Sequence, residues 1–400
     1  MKMRNALKIA LIVPHLEEGG MPKLVSTMSR AWADMHEVTV VLLISGMEKN
    51  YAVSGRIVEL APRGRSIAGK ALAVVRRILR AGKLRRRERF DAVISFGSAA
   101  NAVNVLSRRG ERVILTEHNI KSQENRSWGL AGRFYDAMIS RLYNRADSVL
   151  AISRAMKEDL ESHYGVKSVT LVHNPHDLAD IAEKGRAALP AHLAFLESES
   201  FIAAVGPTDE RKGFLHLVRA FSLMRLKIPY LKLVIVGKRG PLHDEIAAAC
   251  ARLGIADAVI FAGFLSNPYP VMARASLYAC TSLREGLPNV IIESLALGVP
   301  VVSTDCVSGP REILQNGAAP DGSAVTDEMV DCGALVPVFS PVRAGDPLTR
   351  EESLFAKAAA ELLLDAERYE SARESALRRS LDFSVHSIMS RYESLCTKEG

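Results

Sequence analysis

Apolar, β-branched runs recur along this chain with segments of helical period between them, and the whole pattern is run through twice. Short apolar runs that do not alternate with polar residues are strands buried on both faces, which belong to parallel sheets covered by helices. In the first half the runs fall at 8–14, 38–43, 92–96, 113–117, 148–152 and 169–172, and helices open near Pro22, Ile67, Ser98, Leu130 and Ser153. The cycle restarts at 201–205, 233–236, 259–261, 277–279, 299–303 and 334–336, with helices from about Gly213, Leu242, Pro268, Asn289 and Gly309. Between the two halves, 176–199 has no strand character. A barrel of eight β/α units needs an unbroken alternation, so the interruption favours two doubly wound, Rossmann-like domains facing each other across a cleft. The domains are expected at 1–180 and 198–383. The tail 348–396 reads as helical throughout, its last part (384–400) packing back on the first domain, and 317–330 reads as a surface insertion.

The 400 residues suffice for two domains with full cores, and 48% hydrophobic content excludes a disordered chain. No stretch approaches the roughly 18 apolar residues of a membrane-spanning helix, and the apolar opening runs into Glu17 and Glu18 rather than a cleavage site. A cytoplasmic protein is expected. Cys250, Cys280, Cys306, Cys332 and Cys396 are odd in number and include no C-x-x-C pair, so they read as reduced structural thiols.

The formal charge of +7 is unevenly placed. Between Arg63 and Arg89 there are 11 basic residues against Glu88 alone, a net +10 that leaves −3 for the rest of the chain. Over 67–83 a helical wheel puts Ile67, Ala71, Val74, Val75 and Ile78 on one side and Lys70, Arg76, Arg77, Arg80 and Lys83 on the other; Arg85, Arg86 and Arg87 follow. A basic amphipathic helix suits an anionic membrane surface, and an ordinary solvated helix has the same pattern. Nucleic acid is a poorer partner, because only Phe90 at the edge of the segment offers a ring for stacking.

Three strand ends carry candidate chemistry. In TSLREGLPNVIIESLALGVPVVST (281–304) a turn at Gly286 and Pro288 leads into a helix from Asn289, whose open N–H groups and dipole suit a phosphate. Glu285 and Glu293 lie eight residues apart there; a carboxylate can accept from both hydroxyls of a ribose, while a simply capped helix places them equally well. In VGPTDERKGF (205–214) Lys212, with Arg211 beside it, can neutralise a diphosphate leaving group, or serve as a solvated helix-start pair. Gly206, Gly237 and Gly263 end neighbouring strands, where glycine allows close approach and also makes turns. In the first half, LEEGG (16–20) forms a glycine loop with Gly19 and Gly20, and TEHN (116–119) puts His118 at a strand end. No G-x-G-x-x-G, acidic D-x-D pair or zinc spacing occurs, so no NAD-type cofactor and no metal is expected.

EGLPNVIIE followed by SLALGVPVV resembles the E-x7-E signature of retaining glycosyltransferases of family 4, which have the two-domain GT-B fold. PHLEEGGM, TEHN, RADSVLAIS, LVHNP, KGF and GPREIL extend the likeness over nearly the whole chain, GPREIL being similar to capsule, exopolysaccharide and O-antigen enzymes. The resemblance implies a first domain that binds the acceptor and a second that binds a UDP- or GDP-sugar. It implies Glu293 on the ribose, Glu285 on the transferred hexose, and the backbone of Leu287, Pro288, Asn289 and Val290 on the diphosphate. It places Lys212 on the leaving phosphate and His118 near the anomeric carbon. Pro207 stands where the family usually has Arg, which leaves that charge to Arg211 or Lys212. Expected partners are a lipid-linked or saccharide acceptor and the inner face of the membrane. A sugar-nucleotide epimerase of the same fold is the alternative enzyme, and a nucleic-acid-binding protein the non-catalytic one.

Overall fold

The structure, a computed structural model, describes residues 6–17, 19–126, 128–315, 324–343 and 345–397. The chain divides into two compact units, Met1–His176 with Phe383–Gly400, and Asp177–Asp382.

Unit 1 is built on strands β1 (Lys8–Val13), β2 (Glu37–Ile44), β3 (Arg56–Ala61), β4 (Ala92–Phe96), β5 (Arg112–Glu117), β6 (Ser148–Ala151) and β7 (Val169–Leu171). All are parallel, in the order β3-β2-β1-β4-β5-β6-β7. Its helices are α1 (Gly20–Trp32), α2 (Ile67–Glu88), α3 (Ser98–Leu106), α4 (Lys121–Arg126), α5 (Leu130–Leu142) and α6 (Arg154–Glu158). β1 and β4 are buried almost throughout, as uninterrupted apolar strings must be when helices cover both faces. β3 was not evident in the sequence: Arg56 and Glu59 break its apolar run, and it is a partly exposed edge strand.

Unit 2 contains β8 (Phe201–Val205), β9 (Lys232–Val236), β10 (Val259–Gly263), β11 (Leu277–Cys280), β12 (Val301–Thr304), β13 (Glu328–Val330) and β14 (Gly333–Val336), in the order β10-β9-β8-β11-β12-β14-β13. Only β13 is antiparallel, paired with β14. β13 occupies the end of the stretch 317–330 read as an insertion, of which 317–323 lie outside the described set. Helices α7 (Leu178–Gly185), α8 (Phe214–Lys227), α9 (His243–Arg252), α10 (Tyr269–Arg274), α11 (Asn289–Ala296), α12 (Pro310–Leu314), α13 (Arg350–Leu364) and α14 (Ala366–Ser380) surround this sheet. The segment 177–198, including α7, belongs to unit 2.

Of the tail helices, α15 (Val385–Cys396) alone belongs to unit 1. Its Ile388, Met389, Tyr392 and Cys396 enter the core beside Trp32 and Met28 of α1, and a bridge between His176 and Ser384 ties its start. All five cysteines are free and buried.

In each sheet the order of the parallel strands reverses direction once, between β1 and β4 in unit 1 and between β8 and β11 in unit 2. At such a switch point the loops at the carboxyl ends of the strands diverge and leave a crevice, the usual ligand position of an open α/β sheet.

Candidate functional site

The loops after β8 and β11 flank the switch point of unit 2, and they are stitched together. Leu283 N–H donates to the carbonyl of Arg211 at 2.8 Å, and the Thr281 hydroxyl to the carbonyl of Lys212 at 2.9 Å. After β8 a short helical turn (Glu210–Lys212) is capped by Asp209, whose carboxylate accepts from Lys212 N–H at 3.1 Å. Gly206 has φ +151°, and a Cβ there would sit 2.7 Å from Cε of Lys212. The missing side chain therefore gives the lysine its path back across the strand end.

That path brings Lys212 Nζ to 2.6 Å from Glu285 Oε1. Arg211 Nη1 lies 3.3 Å from both carboxylate oxygens, and the Ser282 hydroxyl donates to Oε1 at 2.8 Å. Glu285 and Lys212 keep only 9% and 10% side-chain exposure, whereas Arg211 keeps 43%. Burial alone would raise the pKa of the Glu285 carboxyl, but Lys212 and then Arg211 outweigh it and hold the group below its ordinary value. Glu285 is thus ionised at neutral pH, its one carboxylate shared by Lys212 and Arg211.

The following turn leads into α11 without a side-chain cap and without an acidic residue in its first turn. Ser308 donates its hydroxyl to the carbonyl of Gly286, supporting the turn from below. Gly309 (φ +100°) packs against it, since a Cβ there would come within 2.4 Å of Pro288 Cδ. Leu287, Pro288, Asn289 and Val290 therefore form a braced helix start at the carboxyl edge of the sheet, with Glu293 buried one turn in. Gly206, Gly237 and Gly263 end β8, β9 and β10, with Gly237 N–H donating to the Gly263 carbonyl at 2.9 Å. Ser282, Thr281 and Ser308, which knit the loops, carried no signal in the sequence; hydroxyl residues beside glycines read as ordinary turn chemistry.

In unit 1, Gly19 (φ +133°) is the N-cap of α1 and Gly20 its first residue; Glu18 of the same loop lies outside the described set. His118 follows β5, next to a buried network that the sequence did not reveal. Glu117 has no exposed surface and accepts from Asn101 Nδ2 at 3.0 Å, from Ser98 Oγ at 3.2 Å and from the Tyr143 hydroxyl, while Lys121 Nζ approaches it at 3.0 Å. Burial, and then the charge of Lys121, push the His118 imidazole well below its ordinary pKa, so the ring is neutral.

The basic segment is reorganised by the fold. Of the cations taken to face a membrane, Arg85 is buried, with Nη1 2.7 Å from Glu111 Oε1 and 2.9 Å from the Asn104 carbonyl. Arg77 Nε donates to the Leu43 carbonyl at 2.8 Å, and Arg80 donates to that of Leu60. These three attach α2 to the sheet and its flanking helix. Lys70, Arg76, Lys83, Arg86 and Arg87 are exposed, and the apolar side of the expected wheel is split: Ile78 packs against the core, while Ala71, Val74 and Val75 are exposed with Leu72 and Leu79, the last at 65%. The outward face of α2 therefore sets Leu72, Val74, Val75 and Leu79 among Lys70 and Arg76 along its first turns and is cationic along its last. α5, which like α2 packs against α3, exposes Leu130 (82%) and Phe134 (70%), and the turn before it Trp128 (45%).

Two Rossmann-like units, one with a braced helix start beside a Lys–Arg–Glu cluster at its switch point, define a glycosyltransferase of the GT-B fold. The chain belongs to glycosyltransferase family 4. Residues 18–180 match the family described as Glycosyltransferase Family 4, and residues 199–337 match Glycosyl transferases group 1. The chain is 30% identical, over 76% of its own length and 83% of the relative's, to the N-acetylgalactosamine-N,N'-diacetylbacillosaminyl-diphospho-undecaprenol 4-alpha-N-acetylgalactosaminyltransferase of Campylobacter jejuni. A second transferase of that organism, named for adding alpha-1,4-N-acetyl-D-galactosamine to a longer diphospho-undecaprenol glycan, is 23% identical over 78% of this chain and 82% of its own. Among solved structures, HepE of Anabaena in complex with UDP and glucose superposes with a TM-score of 0.71 at 18% identity, covering 97% of this chain and 98% of that one.

Proposed function

We propose that this glycosyltransferase moves a sugar, with retention, from a nucleoside diphosphate to a lipid-linked glycan of a cell-surface polysaccharide or glycolipid. The observation that carries the reading is the charge cluster at the start of α11. A diphosphate seated there meets the backbone and dipole of the helix start and the ammonium of Lys212, with Arg211 in reach of the same carboxylate, so binding would redistribute the two cations between Glu285 and the phosphates. In transfer, the bond from the anomeric carbon to the diphosphate oxygen breaks and a bond to the acceptor oxygen forms on the same face. The acceptor proton passes to the departing phosphate, and Lys212 and the helix start stabilise the charge that grows there. Glu293 holds the ribose, Glu285 orients the transferred sugar and His118 stands near the anomeric carbon. Because cationic side chains and N–H groups supply the neutralisation, the transfer is proposed to need no metal and no further cofactor.

The 30%-identical Campylobacter relative is named for an acceptor on diphospho-undecaprenol and for N-acetylgalactosamine as the added sugar. We therefore place a diphospho-polyprenol glycan first among acceptors and UDP-linked N-acetylhexosamines and hexoses ahead of GDP-sugars among donors. The outward faces of α2 and α5 fit the same substrate. Leu72, Val75, Leu79, Trp128, Leu130 and Phe134 offer apolar contact to the acyl region, and Lys83 and Arg86 contact to anionic headgroups, which would hold unit 1 on the inner face of the membrane. No helix among the described residues is long and apolar enough to cross a membrane.

The reading is tested by measuring UDP or GDP release from a panel of sugar nucleotides, with and without a diphospho-undecaprenol glycan and with and without EDTA. One donor is expected to turn over, faster with the lipid-linked acceptor and unaffected by EDTA. Turnover only with acceptors that carry no lipid would contradict the acceptor class, and loss with EDTA the metal independence.

A further inference from the structure

The hydrogen bonds beneath His118 admit one arrangement of protons. Thr116 Oγ1 lies 2.8 Å from the carbonyl oxygen of Ser95 and 2.9 Å from Nε2 of His118. A carbonyl oxygen only accepts, so the single hydroxyl proton of Thr116 points at Ser95. The contact to Nε2 is then a hydrogen bond only if Nε2 carries a proton and the hydroxyl oxygen accepts it. The opposite tautomer would set a hydroxyl lone pair against the Ser95 carbonyl at 2.8 Å, in a place where Thr116 has no exposed surface and no water can take over. In a neutral ring with Nε2–H the lone pair is on Nδ1, which has no protein partner among the described residues.

Two further features hold this arrangement. Thr116 is the fifth residue of β5, paired in register with Phe96 of β4, and its branched Cβ restricts the hydroxyl to few rotamers. The Phe96 ring lies 6.0 Å from that of His118, tilted by 30°, and limits rotation of the imidazole. Valine would fill the same space without the hydroxyl.

We propose that Thr116 is a positioning residue that fixes His118 in the Nε2–H tautomer, so that Nδ1 is presented as a hydrogen-bond acceptor to a hydroxyl of the sugar substrates. The inference rests on the placement of His118 beside the reacting groups given above. Thr116 itself touches no substrate; it selects which nitrogen does.

The test uses the full chain labelled with 15N-histidine, without ligand, at neutral pH. Long-range proton–nitrogen correlations report the tautomer, and the His118 signal is assigned by its loss in His118→Gln. Wild type is expected to show a protonated Nε2 and an unprotonated Nδ1. Thr116→Val should give a detectable Nδ1–H population and lower kcat at least tenfold with less than a twofold change in donor KM, and Thr116→Ser should restore both tautomer and turnover. A wild-type ring protonated at Nδ1, or on both nitrogens, overturns the proposal without any variant having to fold, as does an unchanged tautomer in Thr116→Val. A changed tautomer at full turnover overturns the functional half. If His118→Ala then also keeps wild-type turnover, the failure lies in the placement of His118 rather than in the role of Thr116.

Discussion

Each unit contains a buried ion pair, at the amino ends of β4 and β5 in unit 1 and at the carboxyl ends of β8 and β11 in unit 2, and the two pairs are built for different purposes. In unit 1, Arg85 and Glu111 are 2% and 5% exposed, and the guanidinium is also bonded to the carbonyl and side chain of Asn104. Burial lowers the Arg85 pKa to about 10 against the pull of Glu111, so the guanidinium is still charged at neutral pH. In unit 2, Lys212 and Glu285 sit at the strand ends with 10% and 9% exposure, and a second cation, Arg211, shares the carboxylate from a more open position. A pair whose hydrogen bonds are completed by the protein holds structure. A pair with an ammonium, an exposed guanidinium and an uncapped helix start around one carboxylate can exchange partners with a ligand.

The contrast is broken most severely at Arg85. Arg85→Met leaves Glu111 buried without its cation and is expected to destabilise the protein by about 3–5 kcal/mol in chemical denaturation, with proportionate loss of soluble protein. Lys212→Ala is expected to lower turnover roughly 10²–10³-fold, the range for removal of one preformed charge-stabilising donor, while the denaturation midpoint stays close to wild type. If Arg85→Met folds with full stability, or if Lys212→Ala unfolds, the division between a structural and a functional pair is wrong.

A smaller effect separates Arg85 from its neighbours on α2. Lys83→Glu and Arg86→Glu should each weaken binding to vesicles containing anionic lipid by about 1 kcal/mol or somewhat more, since each removes one cation and adds a repulsive charge, and Leu79→Asp should weaken binding to vesicles of any charge. Equal binding to neutral and anionic vesicles would remove the electrostatic part of the docking. The smallest expected effect is on pH dependence. His118 has a native pKa below its ordinary 6.5, so as pH falls below 6.5 the unfolded chain takes up a proton that the native chain refuses, and stability declines. His118→Asn should therefore flatten the acid limb of stability from that pH downward; an unchanged limb would mean the ring protonates freely in the native state.

The double β/α alternation was legible because fully buried parallel strands leave uninterrupted apolar runs. β3 and β13 were hidden for the reason that makes them edges: exposed Arg56 and half-buried, ion-paired Glu59 and Glu328 break the apolar string. Lys212 and Glu285 stood out as charges at strand ends, but nothing in the one-dimensional order reveals that they meet at 2.6 Å across 73 residues. The basic segment misled in both directions. Eleven cations in a row of 27 positions read as one surface, yet the sheet beneath α2 takes Arg77, Arg80 and Arg85 for its own carbonyls and for Glu111, and leaves Leu72, Val75 and Leu79 outside. Which side of a helix packs against a sheet depends on the neighbouring layer, and a helical wheel contains no neighbours. Thr116 and Glu117 were silent because a threonine and a glutamate at a strand end have many uses, and only the register with Phe96 and Asn101 brings their partners within reach.

Under the proposed function, charge recognition of the donor resides in unit 2, and unit 1 contributes neutral groups and the lipid-facing surface. Calorimetric titration of UDP, and of GDP in parallel, into wild type, Lys212→Ala and His118→Ala tests it most directly. Lys212→Ala is expected to weaken binding of the preferred nucleotide at least tenfold, and His118→Ala to leave it within twofold of wild type. Unchanged binding in Lys212→Ala, or an equal loss in both variants, would contradict it.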